Sequence, residues 1–204
     1  MSSWSNNKII SNRNIGLEPL FTESDKKLFY KYLDNTAVYF EYGSGGSTYK
    51  ASLKKNILKI YSVESDLEWH NKLKKIIRNP NVEFIYNNMN TQPNTYGHPG
   101  PNCTKEDMIK YSSQITFLNK AELSVINFIL IDGRFRVASC LKCHRDINAE
   151  CIIAFDDFLN RPQYHVVLDY YNIIDKGSRM VFLKKKLDVE VPNTVIEHYE
   201  VIAN

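Results

Sequence analysis

Two stretches of this chain are apolar almost without a break, Val125–Ile131 and Cys151–Phe155. Runs of that length read as strands covered on both faces, and such strands need helices on either side of their sheet. The rest of the sequence supplies the partners. Ala37–Tyr42, Lys59–Val63 and Val82–Tyr86 read as further strands. Thr22 is the expected N-cap of a helix with Asp25 three residues on and an apolar face of Leu28, Phe29, Tyr32 and Leu33. Ser47–Lys55 can form a second helix, and Ser65 is expected to cap a third that runs to about Arg78, where Asn79-Pro80 stops it. Pro162 opens a helix through Asp169, and Asn172–Ile174 and Met180–Leu183 flank Gly177 as a closing antiparallel pair. Alternating strands and helices predict an α/β chain with a doubly wound, mostly parallel sheet and an antiparallel last strand. The 204 residues suit one domain. Residues 1–19 read as an irregular arm ending at Pro19, and 20–204 as a single α/β domain. A long loop is expected at 87–119. It carries the cluster Tyr96-Gly97-His98-Pro99-Gly100-Pro101, and loops of that length usually serve as lids or binding loops.

Composition narrows the function classes. Hydrophobic residues at 43% can fill a sizeable core, and charged residues at 24% argue against disorder. A net charge of only +3 does not point to a nucleic-acid or membrane partner, although it leaves a local basic patch open. No run approaches the roughly 20 apolar residues of a membrane span. Met1–Asn14 is polar, without an apolar segment of signal-peptide length. With four cysteines and no such signal, the expectation is reduced thiols and a cytoplasmic setting.

The most informative segment is Glu41-Tyr42-Gly43-Ser44-Gly45-Gly46-Ser47-Thr48, between the first strand and the next helix. Its glycines allow a tight turn and close approach of a ligand to the main chain. A dinucleotide fingerprint needs glycine where Thr48 stands, and a phosphate-binding P-loop needs a Gly-Lys-Ser/Thr ending that is missing. Glu41 disfavours a nearby phosphate and suits a cationic group such as the amino group of a methionine moiety. The second strand ends in Glu64, and a carboxylate there can accept from both hydroxyls of a ribose. The plain alternative is a strand–helix turn with two solvated acids. Glu41, the glycine turn and Glu64 together resemble the S-adenosylmethionine site of class I methyltransferases, a family with a seven-stranded Rossmann-like sheet. That resemblance implies that Glu41 lies near the methionine amino end, that Gly43, Ser44 and Gly45 line the cofactor, and that Glu64 holds the ribose. Many relatives carry an acid for the adenine amine after the third strand. Asn87-Asn88-Met89 stands there instead, with the Asn88 carbonyl as the substitute acceptor.

A second constellation follows the fourth and fifth strands, Asp132-Gly133-Arg134 and Asp156-Asp157-Phe158. Ligands of open α/β sheets bind outside the carboxyl ends of the strands, so three carboxylates are expected to converge there, with Asp132 also touching the cofactor. Carboxylates that close repel unless a cation neutralises them, and hard oxygen ligands suit Mg²⁺, with Ca²⁺ and Mn²⁺ also open. The alternative makes Asp156 and Asp157 a helix cap and its neighbour, and Asp132 a turn residue. The pattern resembles metal-dependent O-methyltransferases, the macrocin and novobiocin type more than catechol O-methyltransferase. This implies a metal on Asp132, Asp156 and Asp157 that grips the acceptor, with Asp132 and Asp157 as catalytic residues. His165, on the helix expected after the Asp-Asp pair, is a further catalytic candidate as a general base, with a surface or capping histidine as the alternative. Arg134 and Arg136, where those families often continue with an acid, suit an anionic substrate group. Asp132–Ala138, Asp156–Phe158, Arg161-Pro162 and Tyr164-His165 also resemble a group of uncharacterised proteins of this fold.

The expected activity is S-adenosylmethionine-dependent O-methylation of a small polar acceptor, a sugar or nucleotide-sugar first. The rival is a non-catalytic binding or scaffold protein that retains the fold. A nucleic-acid acceptor is disfavoured by the charge balance, and a homo-oligomer is left open. Cys140-Leu141-Lys142-Cys143-His144 matches a haem-attachment pattern, but free buried cysteine is the better reading inside an α/β unit. His98 is a further candidate for substrate contact. Trp69 reads either as a stacking partner near the adenine or, the plainer reading, as packing on the sheet, and Lys184-Lys185-Lys186 as a solvated strand end.

Overall fold

A computed structural model describes residues 17–203. The expected arm over 1–19 thus falls almost wholly outside the described residues. Helix α1 (Glu23–Leu33) starts where Thr22 Oγ1 accepts the Asp25 amide at 3.3 Å. Then come β1 (Val38–Tyr42), α2 (Gly46–Ser52), β2 (Lys59–Glu64), α3 (Leu67–Ile76) and β3 (Val82–Tyr86). Next are α4 (Lys105–Ser112), a 3-10 turn (Gln114–Phe117), α5 (Lys120–Val125), β4 (Phe128–Ile131), α6 (Arg136–Asp146) and β5 (Ile152–Phe155). A 3-10 segment (Pro162–Asp169), β6 (Tyr171–Lys176), β7 (Val181–Lys185) and α7 (Asn193–Tyr199) complete the order.

The seven strands form one sheet in the order β3-β2-β1-β4-β5-β7-β6. The pairs from β3 to β5 are parallel, and β7 runs antiparallel to both β5 and β6. Every residue of β1 and β4 is buried, as strands covered by helices on both faces must be. Alternation along the strands sorts side chains into two cores. Phe40, Tyr42, Ile129, Ile131, Ile153 and Phe155 pack with Val137, Ala138 and Leu141 of α6. Tyr39, Phe128, Leu130, Ala154 and Phe182 pack with Phe29 and Leu33 of α1 and Ala51 of α2.

Several boundaries differ from the sequence expectation, each for a local reason. The loop expected across 87–119 is irregular only to Thr104, because Thr104 and Asp107 form a capping box that starts α4. Val125 ends a helix instead of starting a strand. Asn119 accepts the amides of Ala121 and Glu122, and Glu122 reaches back to the Asn119 amide at 2.9 Å. Asp66, not Ser65, caps α3, accepting the Trp69 amide at 2.9 Å. The helix expected from Pro162 is a 3-10 segment.

Cys103, Cys140, Cys143 and Cys151 are free thiols, and the last three are buried. His144 Nε2 lies 3.1 Å from the Lys186 carbonyl, so the Cys-x-x-Cys-His run is committed to packing. Among the described residues no helix is long and apolar enough to cross a membrane.

Candidate functional site

β1 and β4 are neighbours, and the chain winds outward from them in both directions. Their carboxyl ends thus mark the topological switch point, where open α/β sheets bind ligands. The glycine turn leaves β1 at that edge and Asp132 leaves β4 beside it. Gly43 has φ +94°, and a Cβ there would lie 2.9 Å from the Asp132 carbonyl and the Gly133 amide, so the close approach of the two strand ends requires glycine. Gly45 differs: a Cβ on it would meet nothing within 4 Å. The Gly45 amide donates to Thr48 Oγ1 at 2.8 Å, and Trp69 Nε1 donates to the Ser44 carbonyl at 2.8 Å, which ties α3 to the turn.

Glu41 points away from this edge, into the joint between β1, β2 and α2. It is fully buried and accepts from Tyr39 Oη at 2.8 Å, Ser47 Oγ at 2.7 Å, Ser62 Oγ at 2.7 Å and Thr48 Oγ1. Burial raises its pKa against the pull of these four hydroxyls. The role expected for Glu41, contact with a cationic ligand group, is corrected: both oxygens are engaged internally, and the residue holds the turn in shape.

Glu64 does stand at the edge. Its Oε1 accepts the amides of Ser65 at 2.7 Å and Asp66 at 2.8 Å, which fixes the orientation of the carboxylate. The irregular segment after β3 folds over it. A Cβ on Gly97 (φ +75°) would lie 2.7 Å from Ser65 Oγ and 3.7 Å from Glu64 Oε1. Ser65 Oγ donates to the Gly97 carbonyl at 3.1 Å, and Arg134 donates through Nε (3.1 Å) and a terminal nitrogen (2.8 Å) to the Tyr96 carbonyl. Burial under this cover pushes the Glu64 carboxyl up to about 7. Asn88 is exposed at the end of β3, its Oδ1 accepting from Tyr86 Oη at 3.1 Å and the Asn90 amide at 2.9 Å. Asn87 is turned inward to the Asp107 carbonyl and Gln114.

The three aspartates do converge, and arginines neutralise them. Buried Arg136 reaches Asp132 at 3.1 Å and Asp157 at 3.4 Å, and donates to the carbonyls of Gly133 (3.0 Å) and Asp156 (2.8 Å). Arg161 reaches Asp157 at 3.1 Å. Arg179 lies 3.5 Å from Asp157 and 3.6 Å from Asp156. Four of the oxygens a metal would take therefore face guanidinium groups. Among the described residues no group of three or more His, Cys, Asp or Glu side chains is disposed to hold a metal ion. The residues do not fit a resident Mg²⁺, and the metal expectation for Asp132, Asp156 and Asp157 is corrected. The carboxylates need cations, as their proximity dictates, and the chain supplies them itself. Asp132 is the most open of the three, its side chain 30% exposed against 15% for Asp157 and 6% for Asp156. Asp156 Oδ1 is buried without a partner. Burial and the two neighbouring carboxylates push Asp156 up to about 7, and burial also holds Asp132 above the usual range. Phe135 (φ +50°) and Asp157 (φ +58°) both have left-handed backbones here, local strain of the kind found where side chains are held for function.

No family model matches the sequence, and no curated protein does. Solved structures do. A methyltransferase-like protein from Silicibacter pomeroyi superposes with a TM-score of 0.80 at 22% identity, over 91% of this chain and 98% of that one. A Staphylococcus aureus protein of caffeoyl-CoA O-methyltransferase type gives 0.53 at 11% identity, over 83% and 86%. An rRNA methylase from Streptococcus thermophilus gives 0.51 at 9% identity, over 82% and 99%. The chain has the class I methyltransferase fold. In that fold the glycine turn, Glu64 and Asp132 occupy the carboxyl ends of β1, β2 and β4, as the sequence reading expects.

His165, expected as a catalytic residue, is not aimed at the aspartates. Its ring stacks on Phe158 at 4.9 Å, and Nε2 lies 3.1 Å from the Phe158 carbonyl, so it closes the turn after β5. Sequence reasoning missed the roles of Arg161 and Arg179 as counter-ions. Arg161 was detectable in principle, four residues after Asp157. Arg179 arrives through the β6–β7 hairpin and has no local signal. Tyr111 was missed too. It is buried under Gly133, where a Cβ would come within 2.0 Å of its hydroxyl, and it accepts the Arg134 amide at 3.3 Å.

Proposed function

We propose that this chain is an S-adenosylmethionine-dependent methyltransferase that acts on an oxygen of a small polar acceptor, with a sugar or nucleotide-sugar hydroxyl as the first candidate. One observation carries the reading: the glycine turn is packed on the backbone of Asp132 at the switch point of a class I methyltransferase sheet, with Glu64 on the adjoining strand end. The open space over Gly45 is a cradle that a side chain would fill, and it fits the cofactor's approach to the main chain. When bound, S-adenosylmethionine supplies an electrophilic methyl group. Glu64 accepts from the ribose hydroxyls, Ser44 and Gly45 line the methionine end, and Asn88 offers its amide near the base. Asp132, open on one side and steadied by Arg136, orients the acceptor hydroxyl and takes its proton. Asp157, facing Arg136, Arg161 and Arg179, supports that geometry. The near-neutral charge supports a small acceptor over nucleic acid, and the free thiols accord with a cytoplasmic setting.

Internal pairing of Glu41 and of the aspartates favours a second reading, a binding protein that keeps the fold without turnover. Calorimetry with S-adenosylmethionine and its demethylated product tests the cofactor site. Formation of the demethylated product with a panel of hydroxylated acceptors then tests transfer. Cofactor binding without transfer supports the second reading, and no cofactor binding overturns the first.

A further inference from the structure

We propose that residues 17–20 form a positioning strap of the site, which braces the glycine turn at one end and aims the Arg179 guanidinium at Asp156 and Asp157 at the other. What the two ends do in catalysis rests on the methyl-transfer reading; the coupling between them does not. Gly46 gives the first observation. It opens α2 and is not among the residues with positive φ. Alanine suits a helical position better than glycine, so the backbone does not ask for glycine here. The neighbour does. A Cβ on Gly46 would lie 2.3 Å from the Glu18 carbonyl carbon, 2.4 Å from the Pro19 nitrogen and 2.5 Å from the Glu18 carbonyl oxygen. Main chain rests directly on main chain, and Pro19 is buried in the contact. The glycines of the turn therefore have different neighbours: Gly43 faces the Asp132 backbone, Gly45 open space and Gly46 the strap. Glu18 fastens the strap to both flanking helices, pairing with Lys50 of α2 and accepting from Tyr30 Oη of α1 at 3.2 Å. Phe21 then leads the chain into the core, edge-on to Phe29 at 5.2 Å.

The far end reaches the aspartates. Val181 at the start of β7 pairs with Phe155 at the end of β5, so the β6–β7 hairpin lies at the same edge of the sheet as the glycine turn. Between them stand β4 and β5, which carry the three aspartates on their ends. Arg179 Nη2 donates to the Leu20 carbonyl at 2.8 Å. The same nitrogen lies 3.6 Å from Asp156, and Nη1 lies 3.5 Å from Asp157. The first is a well-made hydrogen bond; the other two are ion-pair contacts beyond good hydrogen-bond length. The carbonyl, not the carboxylates, therefore sets where the guanidinium stands. Its Nε is buried with no hydrogen-bond partner among the described residues, so it adds no competing hold. Carboxylates as buried as Asp156 depend on where the compensating charge is placed. A displacement of the strap at Gly46 moves the Leu20 carbonyl, and with it the counter-ion of the acceptor half of the site.

The test follows the Arg179 Nε–H resonance by NMR, assigned with Arg179→Lys, and S-adenosylmethionine affinity by calorimetry. Gly46→Ala keeps the helix and collides only with the strap. It should shift the Arg179 signal and weaken cofactor binding about tenfold, the scale of an overpacked contact. Glu18→Gln, at an exposed position that threatens folding least, should shift the same signal by less. Lys54→Gln breaks a neighbouring pair with Asp34, leaves residues 17–20 untouched and should change neither readout. An Arg179 signal unmoved in both strap variants, a wild-type cofactor affinity in Gly46→Ala, or an equal response in Lys54→Gln overturns the proposal. Wild type that binds no cofactor sinks the methyl-transfer reading, and the Arg179 signal then decides the coupling alone.

Discussion

Glu64 shows how a single residue couples position to chemistry. Two backbone amides orient it, and burial raises it to about 7. Ribose hydroxyls donate to the ionised carboxylate, so binding favours the deprotonated form. Cofactor affinity should therefore rise as pH increases through about 7 and level off above it, and Glu64→Gln should flatten the profile. Glu64→Ala should weaken binding by on the order of 2–3 kcal/mol, the value of a charge-assisted hydrogen-bond pair. Calorimetry across that pH range checks both, and a flat wild-type profile removes Glu64 from the site. Gly43 makes a sharper case. Alanine there must adopt φ +94° and push back the Asp132 and Gly133 backbone. The conformation alone costs about 1–2 kcal/mol, so Gly43→Ala should lose stability in urea titration and cofactor binding together.

At the scale of elements, the segment between β3 and α4 is the least secured part of the site. Asn90, Asn94, Tyr96 and Gly97 have positive φ, and between the core contacts of Met89 and Cys103 it is fastened by polar bonds that involve Ser65, Thr91 and Arg134. It covers Glu64, so a ligand reaching that carboxylate must displace it. Its amides should exchange hydrogen faster than those of β1 and β4 and slow when the cofactor binds. Exchange that ignores the ligand would show it to be a fixed wall. The β6–β7 hairpin depends on a different bond set. Asp25 of α1 accepts the amides of Ser178 (2.8 Å), Arg179 (3.2 Å) and Met180 (3.2 Å), and so places Arg179 beside the aspartates. Burial alone would raise Asp25, but the bonds from Thr22 and these amides outweigh it and hold it below 3.8. A depressed carboxyl contributes stability above its ordinary value that is lost as pH falls through the folded one. Asp25→Ala should cost roughly 2–4 kcal/mol and remove that acid-labile part, which urea titrations at neutral and acid pH measure.

At the scale of the molecule, one sheet joins two cores, and the strand ends between them carry the chemistry. Ile129 in the centre of β4 is fully buried, and Ile129→Ala should cost about 2–5 kcal/mol in urea titration without altering the site's charges. Sequence alone determined much of this. The nearly unbroken apolar runs at Val125–Ile131 and Cys151–Phe155 demand helices on both faces, and glycine between β1 and α2 marks the turn, because both signals are local properties of the chain. Capping boxes at Thr104 and Asn119 were equally local and were masked by the Gly/Pro cluster before them. What only the tertiary structure decided was direction and charge. Residue spacing cannot say whether Glu41 faces a ligand or four hydroxyls from three elements, nor that His165 turns back onto Phe158. Nor can it supply the counter-ion. That aspartates at two neighbouring strand ends need positive charge follows from Coulomb's law. That Arg179 joins the guanidinium groups that provide it depends on a hairpin which Asp25 holds from the far side of the chain, a contact between residues about 150 positions apart that no local pattern encodes.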